Sequence, residues 1–287
     1  MPMTPQISSN TPVNPEPPRA EVAALAHRAE RIVTGAGGCR VVWRRFGEGR
    51  PVILLHGGHG SWLHWVRNIE ALAAQRTVWA PDMPGFGESD DIVSDLSAMA
   101  GTLAAAIRQL PGCTDEIDLA GFSFGGLVAA NVAAALGTVR RLALLGSAGH
   151  GGIRRQQRAL VDWRKAADGA ALAQAMRYNL EAFMIADPAR VDAMALYAHT
   201  ESCRHTRFRS KHISRAGGLR DALDRFGGEV LLAWGEHDVT ADPAAAVAAM
   251  TQGSAQRQGC IIPDAGHWVQ YEAHEPVNAL LGGWLAR

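Results

Sequence analysis

The chain has 287 residues, enough for one sizeable α/β domain with an insertion or for two small domains. Hydrophobic residues make up 47% of it, and 28 basic residues balance 28 acidic ones. This balance gives no indication of a nucleic-acid partner or of an anionic membrane surface as a partner. No apolar run reaches the ~18 residues of a membrane-spanning helix, so none is expected.

The four cysteines are scattered along the chain and form no C-x-x-C pair; they are Cys39, Cys113, Cys203 and Cys260. This pattern is typical of reduced thiols in a cytoplasmic protein rather than of a disulfide framework or a zinc site. Nothing in the sequence indicates a metal or an organic cofactor, and the oligomeric state cannot be read from it.

Residues 1–19 are predicted to be a disordered, proline-rich tail, because they hold too little apolar area to offset the entropy of ordering. They lack the apolar core of a secretory signal. A short helix is predicted next, at 20–29.

Short apolar runs bounded by turn residues are predicted as strands. They are Cys39–Phe46, Pro51–Leu55, Thr77–Ala80, Ile117–Ala120, Val139–Leu145, Glu229–Trp234 and Gly259–Ile262. Helices are predicted between and after them, at 62–75, 92–109, 126–136 and 275–286. This alternation predicts an α/β protein with a doubly wound, mostly parallel sheet, whose ligand site lies at the carboxyl ends of the strands.

About 75 residues between the strands at 139–145 and 229–234 look helical and interrupt the alternation. We interpret residues 150–226 as an inserted helical cap, and residues 20–149 with 227–287 as the core. The predicted cap is basic, since it holds 14 Lys or Arg against 8 Asp or Glu in a chain of zero net charge.

Residues 121–126 form a G-x-S-x-G box between an apolar strand and an apolar helix. A serine at such a strand-to-helix corner lies on a sharp turn with its hydroxyl exposed, and the flanking Gly121 and Gly125 avoid clashes across that turn. The N-terminal amides of the following helix point at an oxyanion formed beside Ser123. Ser123 is therefore the candidate nucleophile.

A serine nucleophile needs a histidine as general base and a carboxylate to orient that histidine. His267 follows the last predicted strand, and Asp238 follows the strand before it. Both are placed at the edge of the sheet where Ser123 is expected, in the chain order serine, acid, histidine. Glu236 and Asp264 remain alternatives for the acid.

Five motifs together give the chain a family resemblance. They are His56-Gly57-Gly58, Asp82-x-Pro84-Gly85-x-Gly87-x-Ser89, Gly121-x-Ser123-x-Gly125-Gly126, Gly235-x-x-Asp238 and Gly266-His267. In this order they resemble the α/β-hydrolase superfamily, in its serine-nucleophile branch with a helical cap. The resemblance implies a Ser123–His267–Asp238 triad and an oxyanion hole made by the backbone N–H groups of Gly58 and Phe124.

Several aromatic and histidine side chains, Phe122 beside the serine among them, are candidates for the substrate pocket. His56 is expected to brace the glycine turn rather than take part in chemistry, whereas His59 either stays in its loop or lines the pocket. Trp62, Trp65 and Trp268 form an aromatic wall or fill gaps in the core.

The basic stretch at 204–212 has two interpretations. Its arginines either cover a solvated helix face, or one of Arg207 and Arg209 turns inward and pairs with a substrate carboxylate.

The expected reaction is hydrolysis of a small-molecule carboxylic ester, thioester or lactone through an acyl-enzyme. Trp268, the glycine-rich loop at 56–60 and a possible cap arginine also resemble the meta-cleavage product hydrolases, which break C–C bonds, but Phe122 stands where that group usually has asparagine. Perhydrolysis and a non-catalytic small-molecule receptor are further alternatives. The expected partner is a small molecule, and no nucleic acid or membrane is expected.

Overall fold

The computed structural model describes residues 16–287 and is built around one sheet of eight strands. The strands are β1 (Glu30–Ala36), β2 (Cys39–Phe46), β3 (Pro51–Leu55), β4 (Thr77–Asp82), β5 (Ile117–Phe122), β6 (Val139–Leu145), β7 (Glu229–Gly235) and β8 (Arg257–Ile262). Their spatial order is β1-β2-β4-β3-β5-β6-β7-β8. The pairs β1/β2 and β2/β4 are antiparallel, and all the others are parallel.

The central strands β3, β4 and β5 are buried at every position. Such strands are covered on both faces, which explains why they are nearly continuous runs of apolar residues. Because β3, β5, β6, β7 and β8 are mutually parallel, their carboxyl ends lie at the same edge of the sheet. Loops from that edge carry the site described below.

Helices cover both faces of the sheet. They are α1 (Glu16–His27), α2 (Ile69–Ala73), α3 (Leu96–Ile107), α4 (Phe124–Leu136), α5 (Gly169–Phe183), α6 (Ala193–Arg204), α7 (Lys211–Arg215), α8 (Leu219–Phe226), α9 (Pro243–Thr251), α10 (Val269–Glu272) and α11 (His274–Ala286). Apolar residues of α3, α4, α8 and α9 share one buried cluster, and those of α1, α2, α5, α6 and α11 share another. The prediction of a doubly wound, mostly parallel sheet is confirmed.

The chain between β6 and β7 carries α5 to α8, so it is helical as predicted. These helices do not all pack in the same buried cluster. Leu219 and Leu223 of α8 join the buried cluster of α4, on the sheet domain. Packing therefore does not set α8 apart from the core, and the predicted cap boundaries at 150 and 226 stay a prediction.

Some predicted boundaries differ from the structure. Residues 16–19, assigned above to a disordered tail, begin α1, whose first turn accommodates Pro17 and Pro18 because N–H groups there need no helical partner. The rest of that predicted tail, residues 1–15, lies outside the described residues. The helix predicted at 62–75 is a 3₁₀ turn followed by the short α2. Among residues 16–287, none of the helices is both long and apolar enough to cross a bilayer.

Candidate active site

Ser123 lies at the corner between β5 and α4 in a strained backbone conformation, with φ 52° and ψ −118°. A positive φ is unfavourable for a residue with a side chain and is tolerated where the surroundings enforce it. Here the Ser123 N–H donates to Leu145 O at 2.9 Å, and the Ser123 carbonyl accepts from Ala148 N at 2.9 Å. The turn thereby holds the serine side chain at the carboxyl edge of the sheet.

The two glycines of the box leave no room for a side chain. A Cβ on Gly121 would lie 2.4 Å from Gly125 O, and a Cβ on Gly125 would lie 2.2 Å from His56 O. Helix α4 therefore packs closely on β5 and against the loop that follows β3, which explains both glycines of the motif.

His267 connects Ser123 to Asp238. The Ser123 hydroxyl lies 2.9 Å from His267 Nε2, and His267 Nδ1 lies 2.8 Å from Asp238 Oδ2. Since an ionised carboxylate only accepts, Nδ1 carries the proton and Nε2 is free to accept the serine proton. The structure thus brings together the three residues that the motifs select, from the ends of β5, β7 and β8.

Asp238 is fully buried, which by itself would raise its pKa. The electrostatic interaction and hydrogen bond with His267, together with hydrogen bonds from Thr240, outweigh burial and hold the pKa of Asp238 below its usual value. The Thr240 amide donates to Asp238 Oδ1 at 2.7 Å, and Thr240 Oγ1 also lies 3.1 Å from His267 Nδ1. Sequence reasoning missed Thr240, since it belongs to no motif.

The two alternative acids do not contact His267. Glu236 Oε2 accepts from the Asp264 amide at 3.2 Å, and both side chains are exposed. Together with His237 they place three potential ligand atoms within 4.8 Å of one another, the one such grouping among residues 16–287. All three side chains are exposed, and exposed acidic groups commonly occur together without a metal.

Gly58 and Phe124 border the same cavity as Ser123. A Cβ on Gly58 would lie 3.7 Å from the Phe124 Cβ and 2.5 Å from Ser210 Oγ, so the loop after β3 and the start of α4 are in contact. The two residues are thus neighbours at the cavity beside the serine, and the oxyanion hole assigned to their N–H groups stays a prediction.

Two buried histidines hold the peptide groups of Gly57, next to Gly58. His56 Nε2 accepts from the Met83 amide at 3.0 Å, so its proton is on Nδ1, which donates to Gly57 O at 2.8 Å. His64 Nδ1 accepts from the Gly57 amide at 3.1 Å. Burial lowers the pKa of His56 to about 4 and lowers that of His64 well below its usual value, so both are neutral at pH 7. His56 therefore stabilises the glycine turn through hydrogen bonds, as expected, and His64 also does so, which the sequence did not predict.

A cavity of about 580 Å³ opens beside Ser123 and His267. Its apolar lining includes Phe122, Leu160, Val161, Trp163, Phe183 and Met184. His59 also lines it, with a positive φ of 53°. Burial, followed by the positive charges of Arg164 and Lys211, lowers the pKa of His59. Two of the predicted pocket residues, His59 and Phe122, therefore do lie in the cavity.

Both predicted pocket tryptophans, Trp62 and Trp268, are buried away from the cavity lining. Trp62 stacks on Phe46 with ring centroids 6.3 Å apart. Trp268 donates its Nε1–H to His64 O at 3.0 Å and packs on Tyr271. They fill the core, as does Trp65, and all three belong to the same buried cluster.

Arg207 and Arg209 also lie outside the lining, so the inward-facing arginine is not one of these two. Both Arg207 and Phe208 donate backbone N–H groups to Gly85 O, which fixes the segment along the loop after β4. In this register Phe208 faces inward, and the Arg207 side chain pairs with Asp91. Other cations line the cavity instead, namely Arg154, Arg164, Lys211 and Arg215.

Comparison with known proteins identifies the family. A family model described as alpha/beta hydrolase fold matches residues 50–274, and the chain belongs to that family. The dihydrolipoyllysine-residue acetyltransferase component of the acetoin cleaving system of Pseudomonas putida is 32% identical over 267 residues, which are 88% of this chain and 68% of that protein. The prediction of an α/β hydrolase is thereby confirmed.

Two further proteins are similar to this chain, one over part of its sequence and one in its fold. The 2-hydroxy-6-oxo-2,4-heptadienoate hydrolase of Pseudomonas putida is 36% identical over 121 residues, which are 40% of this chain and 43% of that protein. The alignment therefore spans less than half of this relative. An esterase from Rhodococcus sp. ECU1013 superposes with a TM-score of 0.76 at 24% identity, covering 90% of this chain and 98% of that one.

Proposed function

We propose that the protein is a serine hydrolase of small-molecule carboxylic esters, including thioesters or lactones, that works through an acyl-enzyme. The observation that carries this proposal is the hydrogen-bonded series from Ser123 through His267 to Asp238 at the wall of the cavity. A neutral imidazole that accepts from a serine and donates to a buried carboxylate is poised to act as a general base.

In the proposed mechanism, His267 Nε2 takes the Ser123 proton while Oγ attacks the ester carbonyl. The amides of Gly58 and Phe124 bind the oxyanion, and His267 then gives its proton to the leaving alcohol. A water then gives a proton to the same nitrogen and attacks the acyl carbon, and this proton returns to Ser123 Oγ as the acid is released. Asp238 stays ionised throughout, since the hydrogen bonds from Thr240 and His267 hold its pKa low against the effect of burial.

A fluorophosphonate probe tests this proposal directly. We expect one adduct on Ser123, seen by mass spectrometry, and loss of labelling in Ser123→Ala and His267→Gln. His27→Gln, at an exposed position in α1, is the matched control and should label like the wild type. Absence of any adduct from folded protein would contradict the proposal and favour the non-catalytic receptor.

Hydrolysis of a C–C bond is the second candidate, because the heptadienoate hydrolase of Pseudomonas putida is a partial relative. The residue before Ser123 is an argument against C–C bond hydrolysis. Phe122 packs its ring on His267, with centroids 5.0 Å apart, and offers no polar contact there. The two candidates separate in an assay that compares kcat/KM for a 4-nitrophenyl ester with that for a 2-hydroxy-6-oxo-dienoate. We expect the ester to be strongly preferred.

A further inference from the structure

The cavity beside Ser123 is lined by cations that lack a carboxylate partner. They are Arg154, Arg164, Lys211 and Arg215, and none of them forms an ion pair within residues 16–287. Neighbours in the same part of the chain differ: Arg155 pairs with Asp242 at 3.2 Å, and Arg204 pairs with Glu201 at 3.0 Å. Acids thus neutralise several cations of this segment, but not the four at the cavity.

The acids near the cavity are already engaged. Asp162 is the one carboxylate of the described lining, and its Oδ1 accepts from the Arg164 amide at 3.2 Å. Asp238 is behind the lining, where it binds His267 and Thr240. The cavity wall therefore carries four cations against one exposed carboxylate, although the chain as a whole has no net charge.

Arg154 is the least exposed of the four cations. One of its guanidinium nitrogens donates to Ser214 O at 3.1 Å, which leaves its other donors available. Burial and then the like charge of Arg215 lower the pKa of Arg154, and Asp238 only partly opposes this. A partly desolvated guanidinium beside a second arginine is unfavourable, and a bound anion relieves both costs.

The lining also includes apolar side chains, and Phe122 and Phe183 among them pack against His267. A ligand that matches this wall has an apolar body and an anionic end. We propose that the cavity selects esters bearing a second, free carboxylate, bound by Arg154 with Arg215, while Arg164 and Lys211 add positive charge to the same lining. This inference rests on the proposed ester hydrolysis and names its substrate class.

Two matched esters test the inference: the mono-4-nitrophenyl ester of adipic acid and the same molecule with its free carboxylate capped as a methyl ester. We expect wild-type protein to prefer the acid. Arg154→Gln and, as a second variant, Arg215→Gln should lower kcat/KM for the acid by roughly 10-fold or more, the size of a charged hydrogen bond, and change that for the capped ester less than about twofold. Arg155→Gln removes the same charge from the next residue and should leave the ratio unchanged.

Binding to Ser123→Ala protein separates this inference from the proposed reaction. Calorimetry compares monomethyl adipate, which keeps one carboxylate, with dimethyl adipate, which has none. Tighter binding of the acid, weakened by Arg154→Gln, supports the carboxylate site whether or not any ester is turned over. Equal binding of the two adipates would overturn the inference, and so would an equal loss of kcat/KM for both nitrophenyl esters in the arginine variants. In either case, hydrolysis of the capped ester by the wild-type protein would still support the proposed function.

Discussion

His64 Nδ1 accepts a hydrogen bond from the Gly57 amide at 3.1 Å, and the His64 imidazole lies among aromatic rings. Its imidazole packs against Phe122, which precedes Ser123, and against Trp268, which follows His267. One neutral side chain therefore contacts the glycine loop, the end of β5 and the segment that carries His267. Its Nε2 is buried without a hydrogen-bond partner among the described residues, so the site tolerates a cost to keep an acceptor at Gly57.

Replacement of His64 is expected to slow the reaction more than it weakens binding. His64→Leu leaves the Gly57 amide unpaired and lets the Gly58 N–H move from the oxyanion, so kcat on a neutral ester should fall roughly 10–100-fold with little change in KM. Complete removal of an oxyanion donor costs about 10²–10³ in kcat, which sets the upper limit. Steady-state kinetics with 4-nitrophenyl butyrate measures both constants.

His64→Asn is the matched control, because the asparagine oxygen can accept near the position of Nδ1. It should recover most of the lost kcat. Equal kcat values for the asparagine and leucine variants would show that the contact with Gly57 does not position the loop.

The strain at Ser123 predicts a difference in stability between two replacements of this serine. Ser123→Ala keeps a side chain at φ 52°, whereas Ser123→Gly removes the Cβ that makes this conformation unfavourable. Such strain costs about 1–3 kcal/mol, partly offset by the greater entropy of glycine in the unfolded chain. We expect the glycine variant to be more stable by about 1 kcal/mol in urea unfolding. An alanine variant of equal or greater stability would contradict the strain.

Gly87 is expected to be intolerant of any side chain. Its φ is 47°, and a Cβ would lie 2.3 Å from the Asp82 carboxylate, which accepts the Trp62 and Glu88 amides at 3.1 Å each. Gly87→Ala should therefore lower the free energy of unfolding by about 2–4 kcal/mol. Gly101→Ala, in the open interior of α3, is the control and should raise it by up to about 1 kcal/mol. Losses of similar size in both variants would rule out the proposed clash.

The parts of the site predicted from sequence are those that buried strands and glycine motifs determine. Ser123, Asp238 and His267 each follow a strand of the parallel sheet, so the topology alone places them at one edge. By contrast, β1 was not predicted, since it is an edge strand with one buried residue in seven and gives no apolar run.

In segments without helix or strand, the sequence pattern does not predict which side chains reach the cavity. Arg207 and Arg209 flank Phe208, and only the pairing of this stretch with Gly85 decides that the phenylalanine faces inward. Arg154 lies in a stretch without helix or strand, where sequence carries no periodicity that would give a direction. His64 and Thr240 act through contacts between distant parts of the chain, which no local signal reports.

His199 predicts a pH dependence of stability that can be isolated by a difference measurement. Burial, followed by the electrostatic effect of His59, lowers the pKa of His199 to about 4. The unfolded chain has the ordinary value of about 6.5, so between these two values only the unfolded state binds the proton. The contribution of His199 to stability is therefore fully present above pH 6.5 and is lost as the pH falls toward 4.

The free energy of unfolding of wild type minus that of His199→Leu should consequently fall by about 1.4 kcal/mol per pH unit across this interval. Urea unfolding at pH 7, 6, 5 and 4.5 gives the curve, and His27→Leu, at an exposed position, controls for the loss of a histidine as such. A difference that stays constant from pH 7 to 4.5 would mean that His199 takes up its proton equally in the folded and unfolded protein. Its burial against the cavity wall would then not keep it neutral.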